Sequence, residues 1–163
     1  MQDITPFLSN STIKPELMHV YVHDGHAVAT DAFRLIEIKL DDFCAENIPS
    51  GYYNATKWKT MYKAYTKKAK DIETFMRTVQ ENAVYVDTHK GFNYPSYKNV
   101  IPTEDKLKPF HFDVKFNLDY FVDFIKVVAG TSEVVDFASI KTDGNMAYFE
   151  NDTTKLLLMK INR

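Results

Sequence analysis

Between residues 17 and 40 apolar and polar positions alternate with a period of two. Leu17-Met18-His19-Val20-Tyr21-Val22 is followed by Asp24-Gly25, then by Ala27-Val28-Ala29-Thr30, then by an alternating run from Phe33 to Leu40. This pattern predicts a β-meander. Asp-Gly between alternating runs favours a tight hairpin, because Gly tolerates the positive φ such turns require. The polar stretch 41–50, with Pro49, predicts a loop entering a short strand at 51–53. From Asn54, a candidate N-cap, the period becomes helical: Trp58, Met61, Tyr62 and Tyr65 share one face, while Lys57, Lys59, Lys63, Lys67, Lys68 and Lys70 populate the other. Residues 72–76, 83–86 and 90–94 read as further strands.

The segment 95–109 carries prolines and polar residues and predicts a connector without a helix of its own. A strand at 110–114 follows. A second amphipathic helix starts near Asn117, carries Leu118, Phe121, Val122, Ile125 and Val128 on its apolar stripe, and ends at Gly130. Strands at 134–141, 146–150 and 155–161 close the chain, with turns at Asp143-Gly144-Asn145 and Asn151-Asp152. Strand, helix and three strands thus recur, at 51–94 and 110–161, after a helix-free 1–50. The fold class expected is α+β, two helices packed on antiparallel strands.

Composition supports a real core: 163 residues with 45% hydrophobic content, including 12 Phe and 10 Tyr. A net charge of −2 provides no overall attraction to nucleic acid, so such binding would need the local lysine face of the first helix. Cys44 is the single cysteine, which excludes an intrachain disulfide and suits a reducing cytoplasm. No basic stretch precedes an apolar run at the start, and no run approaches the roughly 18 apolar residues of a membrane span. The expectation is a soluble, cytoplasmic protein without a membrane partner.

Catalytic chemistry finds little footing. His19, His23, Asp24 and His26 place three imidazoles around one hairpin and raise a metal reading. The Asp24-Gly25 turn already accounts for that sequence, so no metal ligand is assigned, and a metal-dependent enzyme using the hairpin and Cys44 ranks last. Asp41-Asp42 and the pair Asp119 and Asp123 read as solvated charges. There is no Gly-rich phosphate loop and no Ser/His/Asp pattern. No catalytic residue and no cofactor is expected.

Three segments carry a resemblance: Ala29-Thr30-Asp31-Ala32-Phe33-Arg34-Leu35, Tyr94-Pro95-Ser96-Tyr97-Lys98-Asn99-Val100-Ile101-Pro102, and Leu156-Leu157-Leu158-Met159-Lys160-Ile161-Asn162-Arg163. In order and spacing they resemble the bacterial sliding clamp, the β subunit of DNA polymerase III. That family's version of the first segment usually reads Ala-Thr-Asp-Gly-His-Arg-Leu, so Ala32-Phe33 stands here for Gly-His. Phe116-Asn117-Leu118-Asp119-Tyr120 is similar to the second helix of the family's last domain. The resemblance spans 17–163, about one domain and part of a second where a clamp protomer has three.

The resemblance implies a DNA-clamp-like fold over 1–163, divided as 1–50, 51–94, a connector at 95–109, and 110–163. It implies a non-enzymatic replication accessory protein that tethers a DNA polymerase, or other owners of clamp-binding peptides, through a hydrophobic groove. The groove would be lined by Arg34, Leu35, Val100, Pro102, Leu157, Leu158 and Met159. It further implies sequence-independent contact of Lys57, Lys59, Lys63, Lys67, Lys68 and Lys70 with double-stranded DNA, and assembly as a homo-oligomer of more than two copies if a ring forms. The alternative is a stand-alone peptide-binding module without a ring.

Overall fold

The structure, a computed structural model, describes residues 1–67, 72–83, 94–111, 115–130 and 135–161. The alternating segment folds as the predicted meander, β1 (His19–His23), β2 (His26–Thr30) and β3 (Arg34–Lys39). The Asp24-Gly25 turn has positive φ at both residues, as a tight hairpin demands. With β4 (Gly51–Asn54), β5 (Lys108–Pro109), β6 (Ile140–Thr142), β7 (Met146–Glu150) and β8 (Thr154–Met159), these strands form one eight-stranded antiparallel sheet in the order β4-β1-β2-β3-β8-β7-β6-β5. The two halves of the chain join where β3 meets β8, with Leu35 opposite Leu157 and Ile36 opposite Leu156.

Because strand side chains alternate, each strand serves two layers. Val20, Val22, Ala29, Ile36, Ile38, Phe149, Leu156 and Leu158 face a core completed by helices: Trp58 and Met61 of α2 (Ala55–Thr66), Phe75 and Val79 of α3 (Ile72–Ala83), and Phe124 of α4 (Leu118–Ala129). The opposite face holds Val28, Leu35, Tyr148 and Leu157, covered by Leu17, Tyr94 and Tyr97. The molecule is therefore α+β, mixed helix and antiparallel sheet. Among the described residues no helix is long and apolar enough to cross a membrane.

Both expected helix starts are capped by side chains: Asn54 accepts from Lys57 N, and Asn117 accepts from Asp119 N and Tyr120 N. Several expectations need correction. The loop at 41–50 contains the short helix α1 (Asp42–Asn47), begun by Asp41, whose carboxylate accepts from Cys44 N. The strand at 72–76 is instead the first turn of α3, where Phe75, Met76 and Val79 follow three-to-four spacing into the core. Strand-favouring side chains such as Phe and Thr suit either element there, and packing decides between them. The unit at 51–94 thus begins with one strand and two helices; its remaining expected strands, at 83–86 and 90–94, fall mostly outside the described residues. The strand expected at 134–141 starts only at Ile140, after a 3-10 turn at Phe137–Ser139. Of the strand expected at 110–114, Phe110 and His111 lie outside any strand and 112–114 fall outside the described residues; the two-residue β5 sits just before it, within the expected connector, and Phe110 N donates to Ile140 O at 3.3 Å.

Candidate peptide groove

The loop between β2 and β3 is built by its own polar side chains. Asp31 Oδ1 accepts from Phe33 N and Arg34 N, both at 3.0 Å, and Thr30 Oγ1 donates to Arg34 O at 2.7 Å. These bonds hold Ala32 at φ 77° and turn Phe33 outward, where it is 61% exposed. Beside the loop runs the end of β8, fastened by Met159 N donating to Phe33 O at 2.8 Å.

The third wall is the connector. Tyr94 and Tyr97 are buried across the sheet, and Tyr94 N donates to Tyr52 Oη at 3.2 Å. Tyr97 Oη donates to Glu37 Oε1 at 2.8 Å, which leaves the phenol oxygen to accept from His23 Nε2 at 2.6 Å. Burial first, then the hydrogen bond to Glu37 and its charge, raise the Tyr97 phenol above its ordinary range. Tyr97 opens a 3-10 turn, Tyr97–Val100, that brings Val100 alongside Leu35.

The three segments enclose a depression of about 230 Å³ whose apolar lining includes Leu17, Phe33, Leu35, Tyr97, Val100, Leu157 and Met159. That is below the roughly 300–1,000 Å³ of small-molecule sites and suits a side chain or two. Past Ala32, Phe33 and Met159, which border both, lies a second depression of about 530 Å³ reaching Asn117, Tyr120 and Ile161. An extended segment could set one apolar anchor on each side of Phe33.

Of the residues expected in the groove, Leu35, Val100, Leu157 and Met159 come together as its lining. Arg34 borders it, but its guanidinium is engaged elsewhere, with Asp31 at 2.9 Å, Asp123 of α4 at 2.6 Å, the Pro6 carbonyl, and the rings of Phe7 and Tyr120. Leu158 is excluded: it alternates to the opposite face of β8 and is fully buried under the helices. Pro102 lies beyond the 3-10 turn and does not line the groove. Lys14, Leu17, Phe33, Tyr97 and Tyr120 were missed as site residues. Phe33, Tyr97 and Tyr120 stood within the segments carrying the resemblance; nothing in the sequence marked Lys14.

The other candidates resolve differently. Lys59 and Lys63 of α2 and Lys67 at its C-cap are exposed, and Lys57 is half-buried, its pKa lowered from the ordinary value by desolvation. Lys68 and Lys70 lie outside the described residues. The imidazoles are engaged separately, His19 with Pro15 O, His23 with Tyr97 and His26 with Asp24 O. Among the described residues no group of three or more His, Cys, Asp or Glu could hold a metal ion. Asp41 and Asp123, read as solvated charges, are structural: one caps α1 and accepts from Tyr65 Oη at 2.6 Å, the other holds Arg34. Comparison with known proteins finds no matching family model, no matching curated protein and no matching solved structure.

Proposed function

We propose that this chain is a clamp-like docking protein that binds an extended apolar segment of a client, such as a DNA polymerase, and so tethers it. The carrying observation is that the loop at 30–35, the connector at 95–100 and the end of β8 converge on one apolar groove. Such grooves accept Leu or Phe anchors, and a thioether such as Met159 adapts to their shape. Tethering acts by raising a client's local concentration at the place of work, without chemistry at the groove. The arrangement of helices on one face of the sheet and connector on the other supports a clamp-like fold, and the lysines of α2 supply a surface for DNA phosphates. Assembly of several copies around a duplex belongs to the same proposal.

Met159 is the decisive position, since it borders both depressions and is only partly buried. M159D places a carboxylate among apolar anchors, a desolvation cost of about 2 kcal/mol or more. Fluorescence anisotropy with a labelled ten-residue peptide carrying a Leu-Phe pair should show a loss of more than about tenfold in affinity. Circular dichroism should stay unchanged. Equal affinity of variant and parent would overturn the groove as the docking site.

A further inference from the structure

The groove does not end at Tyr120. Lys160, at the rim of the second depression, also borders a third of about 550 Å³, which continues the course past the end of β8. Its wall carries more charged side chains. Lys108 and His111 are exposed on its wall, opposite the turn that carries Asp143 and Gly144. Lys160 is held at the junction by that turn, its backbone N donating to Asn145 O at 2.9 Å and its ammonium to Gly144 O at 2.7 Å. That contact leaves two ammonium protons for a ligand.

In the third depression two lysines, Lys108 and Lys160, face one carboxylate, Asp143. Lys108 and Lys160 form no ion pair with a carboxylate among the described residues, and the acid in the wall, Asp143, has an oxygen accepting from Asn145 N at 2.8 Å. Beside the apolar part, Asp31 and Asp123 pair with Arg34, Asp123 also lies 3.8 Å from Lys126, and Glu37 accepts from Tyr97. A chain of net charge −2 thus presents an apolar groove that runs into a positive depression. We infer that the groove's occupant is an extended peptide whose apolar anchors are followed directly by acidic residues, the carboxylates lying against Lys160 and Lys108.

This inference rests on the proposed docking groove and adds the charge of the partner. Exposed ion pairs contribute about 0.2–1 kcal/mol each, so two of them make an acidic extension about two- to thirtyfold tighter, and only at low salt. The probes are fluorescein-labelled ten-residue peptides with one Leu-Phe pair and three Glu, three Ser or three Lys, placed on either side of it. Anisotropy titrations at about 0.02 M and about 0.3 M salt should rank Glu above Ser above Lys for one of the two placements, with the ranking compressed at the higher salt. In K108Q the ratio of Glu to Ser affinity should fall toward one, and in K108E below one. Equal binding of Glu and Ser peptides in both placements would overturn the acidic extension and leave the groove standing. Failure of every peptide to bind would overturn the groove, and the extension with it.

Discussion

Ala32 occupies a backbone conformation that an L-residue reaches at a cost. At φ 77° its Cβ crowds the chain, a penalty of roughly 1–2 kcal/mol that Gly largely avoids, offset in part by the greater freedom Gly has when unfolded. The hydrogen bonds of Thr30 and Asp31 hold the loop in this shape despite the strain, because the same shape lets Arg34 reach Asp123 and turns Phe33 out. A32G should therefore be more stable than the parent by about 0.5–1 kcal/mol in urea denaturation, with the far-ultraviolet spectrum unchanged. A destabilised A32G would mean that the methyl group packs against the groove wall well enough to outweigh the backbone strain. Phe33, set by this loop, is the residue whose identity most changes the groove's outline, since it divides the two depressions.

Among the elements, those with a long and uninterrupted period were legible. The meander, α2, α4, β7 and β8 follow directly from alternation or from three-to-four spacing with an Asn cap. What failed was short or ambiguous: α1 has six residues, too few for a period to show, and α3 opens on residues that suit a strand equally well. The groove was half legible for a related reason. Alternation says that Leu157 and Leu158 face opposite ways, but the register of β8 against β3 decides which of them meets Leu35. Lys14 and Leu17 join the lining through tertiary folding alone. The helix layer carries its own prediction. Lys59 and Lys63 of α2 and Lys67 at its C-cap point to solvent, whereas α4 exposes Leu118, Asp119, Val122 and a single lysine, Lys126, so α2 is the more basic of the two helices. Double-stranded DNA should bind weakly near 0.05 M salt and lose affinity as salt rises, and K59Q/K63Q should reduce the slope of log K against log salt by about 2. Absence of any retardation at low ionic strength would remove DNA contact from the proposed function.

For the molecule as a whole, the β3 to β8 ladder, the Arg34 to Asp123 pair and the connector laid across the face opposite the helices all link its halves. The connector layer is rich in tyrosines. Tyr21 packs against Tyr52 and Tyr94 at centroid distances of 5.0 and 4.8 Å, and those two rings lie 6.2 Å from each other; Tyr97 binds Glu37 and His23, and Tyr148 donates to Glu150 at 2.7 Å. Burial raises the phenols of Tyr94, Tyr97 and Tyr148 above the ordinary 10.0, and neighbouring carboxylates add to this for the last two. The fold therefore holds these protons more tightly than the unfolded chain does. Their contribution is complete below the unfolded value of 10.0 and is lost as pH rises from there toward the higher folded values. The melting temperature should be nearly level between about pH 7 and 9 and fall steeply above about 10, together with the rise in phenolate absorbance. Y97F separates this layer from general alkaline effects such as lysine deprotonation. It should start about 1–3 kcal/mol less stable, because Glu37 and His23 lose a shared partner, yet lose less between about pH 9 and 11 than the parent. If parent and Y97F decline in parallel, the buried Tyr97 phenol is not what ties the connector, and with it the groove wall, to the sheet.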